Sequence, residues 1–230
     1  FDYTLGSVGN DIILQGVVNS TGAMYEAAPM VLGGFNDMTS LQQRIAQRQW
    51  GAADAGLSGT WLRIAGDRTD VTTSSDIGVD SNKFSIQAGV DYAIDPSATG
   101  QWVFGATAQY GKISGDIAAA LGTGSIDAEG FGLGATATWY GSQGMYVDIQ
   151  GQFNSVSTDY TSSTNGLRAE GVHSRTYALS VEAGKRIALD ANRTLVPQAQ
   201  LTWGTVDGGT FTDDLGTTVG LGNNESLIGR

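Results

Sequence analysis

The chain has 230 residues, among them 34 glycines, 3 prolines, 1 histidine and no cysteine, and a formal charge of -11. Without cysteine and with one histidine, thiol nucleophiles, disulfide frameworks and the common structural zinc sites are excluded, and so acidic a chain argues against nucleic acid, whose phosphates need a cationic face. At 40% hydrophobic and 15% charged residues it is too apolar for disorder and low in charge for a soluble globule, and its glycines lack the three-residue period of collagen.

In chain order, Phe1, Tyr3 and Leu5, a Val8-Gly9-Asn10-Asp11 turn, then Ile12, Ile13 and Leu14 predict a short strand pair over residues 1–16. The opening has no cationic or apolar region of a signal peptide, so a leader is expected to have been removed or the chain to be part of a longer one. Residues 17–40, around Pro29 and Gly33-Gly34, read as a linker. Residues 39–50 predict a helix, because Thr39 and Gln42 have capping-box spacing and Gly51 supplies a stop. Its apolar stripe is only Leu41, Ile45 and Trp50. The remainder, including Gln42, Arg44, Gln47 and Arg48, makes it a poor core element and a poor membrane anchor. It suits a polar, partly acidic lumen. Asn36-Asp37, just upstream, reads as a helix entry.

From about residue 57 the dominant signal is alternation with period two. A weak strand at 58–66 is followed by segments in which Phe84, Ile86, Ala88, Val90 and Tyr92 share one face, then Trp102 to Tyr110, Phe131 to Trp139, Val147 to Phe153, Tyr177 to Ala183 and Leu195 to Trp203. The opposite faces are polar or glycine. Segments of this length match a tilted membrane strand of about 9–11 residues. Aromatics mark their ends (Phe84, Tyr92, Trp102, Tyr110, Phe131, Trp139, Trp203) and small aliphatics their middles, as in an apolar band between two girdles, whereas a soluble sandwich would place its large residues mid-strand. No run approaches the roughly 18–20 apolar residues of a spanning helix, but a closed barrel needs none. The reading is a transmembrane antiparallel β-barrel. Residues 93–100, 141–144 and 190–193 are its short turns, and 112–126, 155–175 and 206–220 its long extracellular loops. Asp116, Asp127, Asp159, Asp207, Asp213 and Asp214 in those loops are candidates for divalent-ion bridges to lipopolysaccharide. A further strand starts near Glu225. That makes eight or nine strands in all.

Site chemistry is sparse. His173, three residues after Glu170, reads as a solvated loop residue, although Asp213 and Asp214 could supply carboxylate partners to an outer-rim catalyst. Gly130-Phe131-Gly132-Leu133-Gly134 has the outline of a dinucleotide loop, but its glycines lie on the polar face of an alternating strand and no crossover helix follows. No enzyme, cofactor or metal is therefore expected. Asp91, Asp148, Glu182 and Arg186 are the charges expected to face the lumen, with Glu182 pairing with Arg186 or with Arg44 or Arg48 of the helix.

The order of parts resembles the C-terminal region of bacterial autotransporters (type Va secretion). Phe1 to Leu5 with Asp11 to Leu14 resembles a last passenger rung, and Leu41-Gln42-Gln43-Arg44-Ile45 with Trp61-Leu62-Arg63 a pore helix entering the first strand. Val181 to Arg186, Leu195 to Leu201 and Ser226 to Arg230 are similar to later strands. The resemblance implies the end of a β-solenoid passenger at 1–16, linker and pore helix at 17–56, and a twelve-stranded outer-membrane barrel from 57 to 230, its last strands missing. It further implies export of a passenger to the surface of a Gram-negative cell, the linker threading the barrel so that the passenger's last rung emerges first. The partners implied are outer-membrane lipid and lipopolysaccharide, the barrel-assembly machinery and the chain's own passenger. Some members cut themselves within the pore with asparagine and acidic groups, against which Asn36-Asp37 is here read as a cap. The alternatives are a stand-alone porin or surface-adhesin barrel whose N-terminal segment is a plug, and a secreted soluble all-β adhesin.

Overall fold

The computed structural model describes residues 2–8, 11–17, 20–45, 57–94, 96–120, 122–163, 166–190 and 193–230. In chain order the elements are β1 (Asp2–Val8), β2 (Asp11–Val17), α1 (Ser20–Gly33), a 3-10 turn at Gly34–Asn36, α2 (Leu41–Ile45), β3 (Gly59–Thr72), β4 (Gly78–Ala93), β5 (Gly100–Ala119), β6 (Gly122–Gly141), β7 (Met145–Ser162) and β8 (Gly166–Lys185). They end with β9 (Ile187–Ala188), β10 (Thr194–Leu195), β11 (Gln198–Asp207), β12 (Thr210–Thr212), β13 (Thr218–Gly220) and β14 (Asn223–Gly229). Eight strands form one antiparallel sheet in the order β14-β11-β8-β7-β6-β5-β4-β3. It curls around the segment from α1 to α2, which touches the wall from Asp91 on one side to Arg230 on the other. Among the described residues no helix is long and apolar enough to cross a membrane, which leaves strands free to do so.

The strands run further than their alternation predicts. The wall-facing side of β5 reads Trp102, Phe104, Ala106, Ala108 and Tyr110, then Lys112, Ser114 and Asp116. Its concave side reads Val103, Gly105, Thr107 and Gln109, then Gly111, Ile113, Gly115 and Ile117. Past Tyr110 the period is unchanged but its sign reverses: apolar outside and polar inside becomes polar outside and apolar inside. The register sets Tyr110 opposite Phe131 and Trp102 opposite Trp139, so the aromatic borders continue from strand to strand. Residues 112–126 and 155–175, expected as loops, are therefore mostly strand. The same holds at 206–220, where β12 and β13 fold back as a separate hairpin. At the opposite end, residues 93–100 and 141–144 are short connections, as expected. The predicted strand 195–204 starts at Gln198, because Leu195 pairs with Ile187 in the small β9–β10 hairpin.

On the outer face, Ala135 lies midway between Phe131 and Trp139. An arginine there would sit at the bilayer midplane, so Ala135→Arg is expected to cost about 2–4 kcal/mol. A reduced folded fraction in a urea titration of the membrane-inserted protein checks this.

Residues 17–40 are not a linker throughout, since they contain α1. Ala23, Met24, Ala27, Ala28, Val31 and Leu32 are all buried, as is Phe35 in the turn that follows. A helix so apolar is stable only when surrounded. Pro29 withholds one helical hydrogen bond and lies with Glu26 and Met30 on the less buried face. The expected capping box occurs one residue later than Thr39 and Gln42: Ser40 Oγ accepts from the Gln43 N–H at 3.3 Å, and Gln43 Oε1 from the Ser40 N–H at 3.0 Å. The helix that follows is described to Ile45, and Gln47, Arg48 and Trp50 lie outside the described residues. β1 and β2 pair antiparallel, Asp2 with Val17 and Val8 with Asp11.

Candidate functional site

The concave face holds its contents in three tiers. Nearest the long hairpins, the buried side of α1 and Phe35 pack against Ile113, Ile117, Ile126, Val156, Tyr160 and Val172. This apolar collar replaces the polar lumen expected there. Above it, the β12–β13 hairpin closes over the start of α1. Phe211 stacks on Tyr160 with centroids 5.6 Å apart, and Tyr25 meets both rings edge-on at 5.5 Å. The Tyr25 hydroxyl donates to Asp213 Oδ2 at 3.4 Å, and burial, followed by that carboxylate, pushes its pKa up. Asp213 Oδ1 also accepts from the N–H groups of Leu215 and Thr217, while Asp214 lies 3.5 Å from the buried Arg168 guanidinium. Asp213 is buried by these contacts, whereas the Asp214 side chain stays half-exposed. His173 is exposed on β8.

In the middle tier, wall side chains meet the main chain of residues 34–39. Lys83 Nζ donates to Gly34 O at 2.7 Å, and the amides of Gln152 and Asn154 to Phe35 O at 2.8 and 3.2 Å. Arg230 Nη1 donates to Met38 O at 3.2 Å, and Gln150 and Gln200 to Thr39 O at 2.8 and 3.4 Å. Asn36 and Asp37 do not cap a helix. The Asn36 amide donates to Thr205 O at 3.0 Å, and Asp37 pairs with Lys83. Glycines opposite make the room. A Cβ at Gly132 would overlap the Asn154 amide, and one at Gly130 would lie 3.0 Å from the Phe35 ring.

The third tier, toward the short turns, is ionic. The Arg44 guanidinium donates to Thr136 Oγ1 at 3.1 Å, Thr138 Oγ1 at 2.9 Å and Asp148 Oδ1, and Asp91 Oδ1 lies 3.5 Å away. Trp61 Nε1 donates to the other Asp91 oxygen at 3.1 Å. All three charged side chains are at most 2% exposed. Gly105 leaves the space for this cluster, since a Cβ there would overlap Asp91 Oδ1 and Thr136 Oγ1. Glu182 pairs with neither Arg186 nor Arg44. Its two oxygens accept from the Leu41 N–H at 3.0 Å and the Tyr146 hydroxyl at 2.6 Å. Arg186 is exposed just past β8, its N–H bonded to Gly144 O at 2.8 Å. Gln42 is half-buried. Among the residues singled out from sequence, the fold thus brings Arg44, Asp91, Asp148 and Glu182 to one level and leaves Arg186 apart. Sequence reasoning missed the wall donors Lys83 and Arg230, and it saw Gln150, Gln152, Asn154 and Gln200 only as parts of polar faces.

A wall with an aromatic-bordered apolar band outside and a helix and strap held inside by a buried arginine is the architecture of a membrane barrel with an occupied lumen. Residues 60–230 match the autotransporter β-domain family, and the chain belongs to it. The domain is a translocation unit for passenger export, and it resides in the Gram-negative outer membrane. The chain is 32% identical over 223 residues to the adhesin BmaC autotransporter of Brucella suis biovar 1 (strain 1330), covering 90% of this chain and 6% of that protein. The fold matches the transport unit of the autotransporter AIDA-I from Escherichia coli with a TM-score of 0.68 at 18% identity, over 91% of this chain and 70% of that one. It matches the β domain of the Bordetella autotransporter BrkA with a TM-score of 0.65 at 21% identity, over 76% and 68%. The chain spans 6% to 21% of the length of the curated relatives it matches.

Proposed function

We propose that residues 20–45 remain in the lumen once the passenger has passed and keep the pore closed, with β1 and β2 on the cell-surface side as the end of the passenger. The observation that carries this is the Arg44 anchor: a fully desolvated guanidinium held by Asp91, Asp148 and two threonines from three wall strands. Such an ion is costly to bury unless it is paired in that geometry. In this reading Phe84, Tyr92, Trp102, Tyr110, Phe131, Trp139 and Trp203 border the lipid. Lipopolysaccharide lies against the polar outer surface beyond Tyr110, where Asp116 and Asp127 are exposed, and the barrel-assembly machinery inserts the wall. The porin alternative, whose N-terminal segment is a plug, shares the filled lumen and differs in predicting an open conductance for the full protein.

Planar-bilayer recording tests closure. The full protein is expected to stay closed for most of the record, and deletion of residues 20–45 to give a steady open conductance. A deletion variant that assembles yet conducts no more than the full protein would sink the reading.

A further inference from the structure

We infer that the lumen wall recognises the main chain of the polypeptide lying in it, so that its middle tier is a binding surface for any extended peptide rather than for one linker sequence. This rests on the occupied-lumen reading above and adds to it what the wall recognises.

Six wall side chains reach the segment from residue 34 to 39, and every one of them donates to a backbone carbonyl: Lys83 to Gly34, Gln152 and Asn154 to Phe35, Arg230 to Met38, and Gln150 and Gln200 to Thr39. A carbonyl is the one acceptor that every residue carries, proline included. Four of the six donors are neutral amides, and a neutral hydrogen bond contributes only about 0.5–1.5 kcal/mol net. Such contacts satisfy a carbonyl without trapping the chain. Gln150, Gln152 and Asn154 also follow one another at period two on the inward face of β7, Gln152 and Asn154 sharing the Phe35 carbonyl and Gln150 taking that of Thr39. The Asn154 amide group is itself fixed by neighbours, Nδ2 donating to Thr176 Oγ1 at 2.8 Å and Oδ1 accepting from Gln109 at 2.6 Å, so its remaining N–H is already aimed inward. Side-chain contacts of the segment dominate at either end of this tier, in the apolar collar and at Arg44, and the middle adds those of Asn36 with Thr205 and of Asp37 with Lys83. The middle is where a moving chain of arbitrary sequence can be accommodated.

The absence of cysteine allows a clean test. Met38, buried in the segment, is replaced by cysteine in the full protein, and maleimide labelling reports how often the segment leaves the wall. Adding Gln150→Met, Gln152→Met and Asn154→Leu, which keep volume and remove the donors, is expected to speed labelling by about tenfold or more. Adding Thr39→Val, which changes the side chain and keeps the carbonyl that Gln150 and Gln200 bind, is expected to leave the rate within about twofold. Heat-modifiable migration identifies folded protein. If the triple variant fails to assemble, Gln150→Met alone decides, with an expected change of about threefold. Labelling at the reporter's own rate in the folded donor-less variant overturns the inference. So does labelling of the Thr39→Val protein as fast as that of the triple variant. Labelling requires no current, so a failure of closure in the bilayer experiment and a failure here are separate results.

Discussion

Replacement of Arg44 by methionine is expected to release the lumen segment roughly 10²- to 10⁴-fold more often, the equivalent of the 3–5 kcal/mol lost when one partner of a buried ion pair is removed. The magnitude follows from what remains: Asp91 and Asp148, both nearly inaccessible, would face each other with no cation between them. Maleimide labelling of Met38→Cys in the Arg44→Met background measures the release, and a rate within a factor of three of the Arg44 protein would refute the anchor. Arg44→Lys is expected to fall between the two. An ammonium restores the charge but not the planar fork that reaches Thr136, Thr138 and Asp148 together. Asp91→Asn is expected to be mild by comparison, because one cation currently serves two carboxylates and losing one anion leaves a matched pair.

Truncation of Leu32 to alanine in α1 is expected to weaken helix docking by about 2–5 kcal/mol, the range for deleting a fully buried leucine where the surroundings cannot collapse. Leu32 is 0% exposed within the collar formed by Ile113, Ile117, Ile126 and Val156. Hydrogen exchange of the α1 amides reads the loss directly, and the rates should rise throughout the helix rather than at residue 32 alone. Glu26→Ala on the exposed face removes only a hydrogen bond from Ser75 Oγ and should shift exchange by less than about twofold. Equal effects of the two variants would mean that the collar does not hold the helix.

The limits of the sequence reading have physical causes. Alternation identified the strands wherever one face meets lipid and the other the lumen, because that contrast is written into neighbouring residues. Past Tyr110 the contrast inverts, and Lys112-Ile113-Ser114-Gly115-Asp116 has the composition of a loop although it keeps the period of a strand. The same inversion hid α1. A helix ringed by apolar wall needs no polar face, so its sequence lacks the one-sided pattern that marks an amphipathic helix, and Pro29 and Gly33-Gly34 pointed to a linker. Arg44, Asp91, Asp148 and Glu182 could be singled out because a charge on an inward face demands a partner, though not which one. The donors to residues 34–39 could not be singled out. Their partner is the backbone, which carries no signature of its own at any position.

The reversal of polarity along β5 and β6 divides the wall into two solvents. Below Tyr110 and Phe131 the outside is hydrocarbon, so burying apolar surface gains little from the displacement of water. Beyond them Lys112, Asp116, Asp127 and Glu129 face water, and the collar around α1 is an ordinary aqueous core. Its docking strength should therefore carry the heat-capacity signature of hydrophobic burial and weaken on cooling. The Arg44 tier, held by ions and hydrogen bonds, lacks that dependence. Chilled cells would then hold the lumen segment mainly from the short-turn end, and warm cells from both.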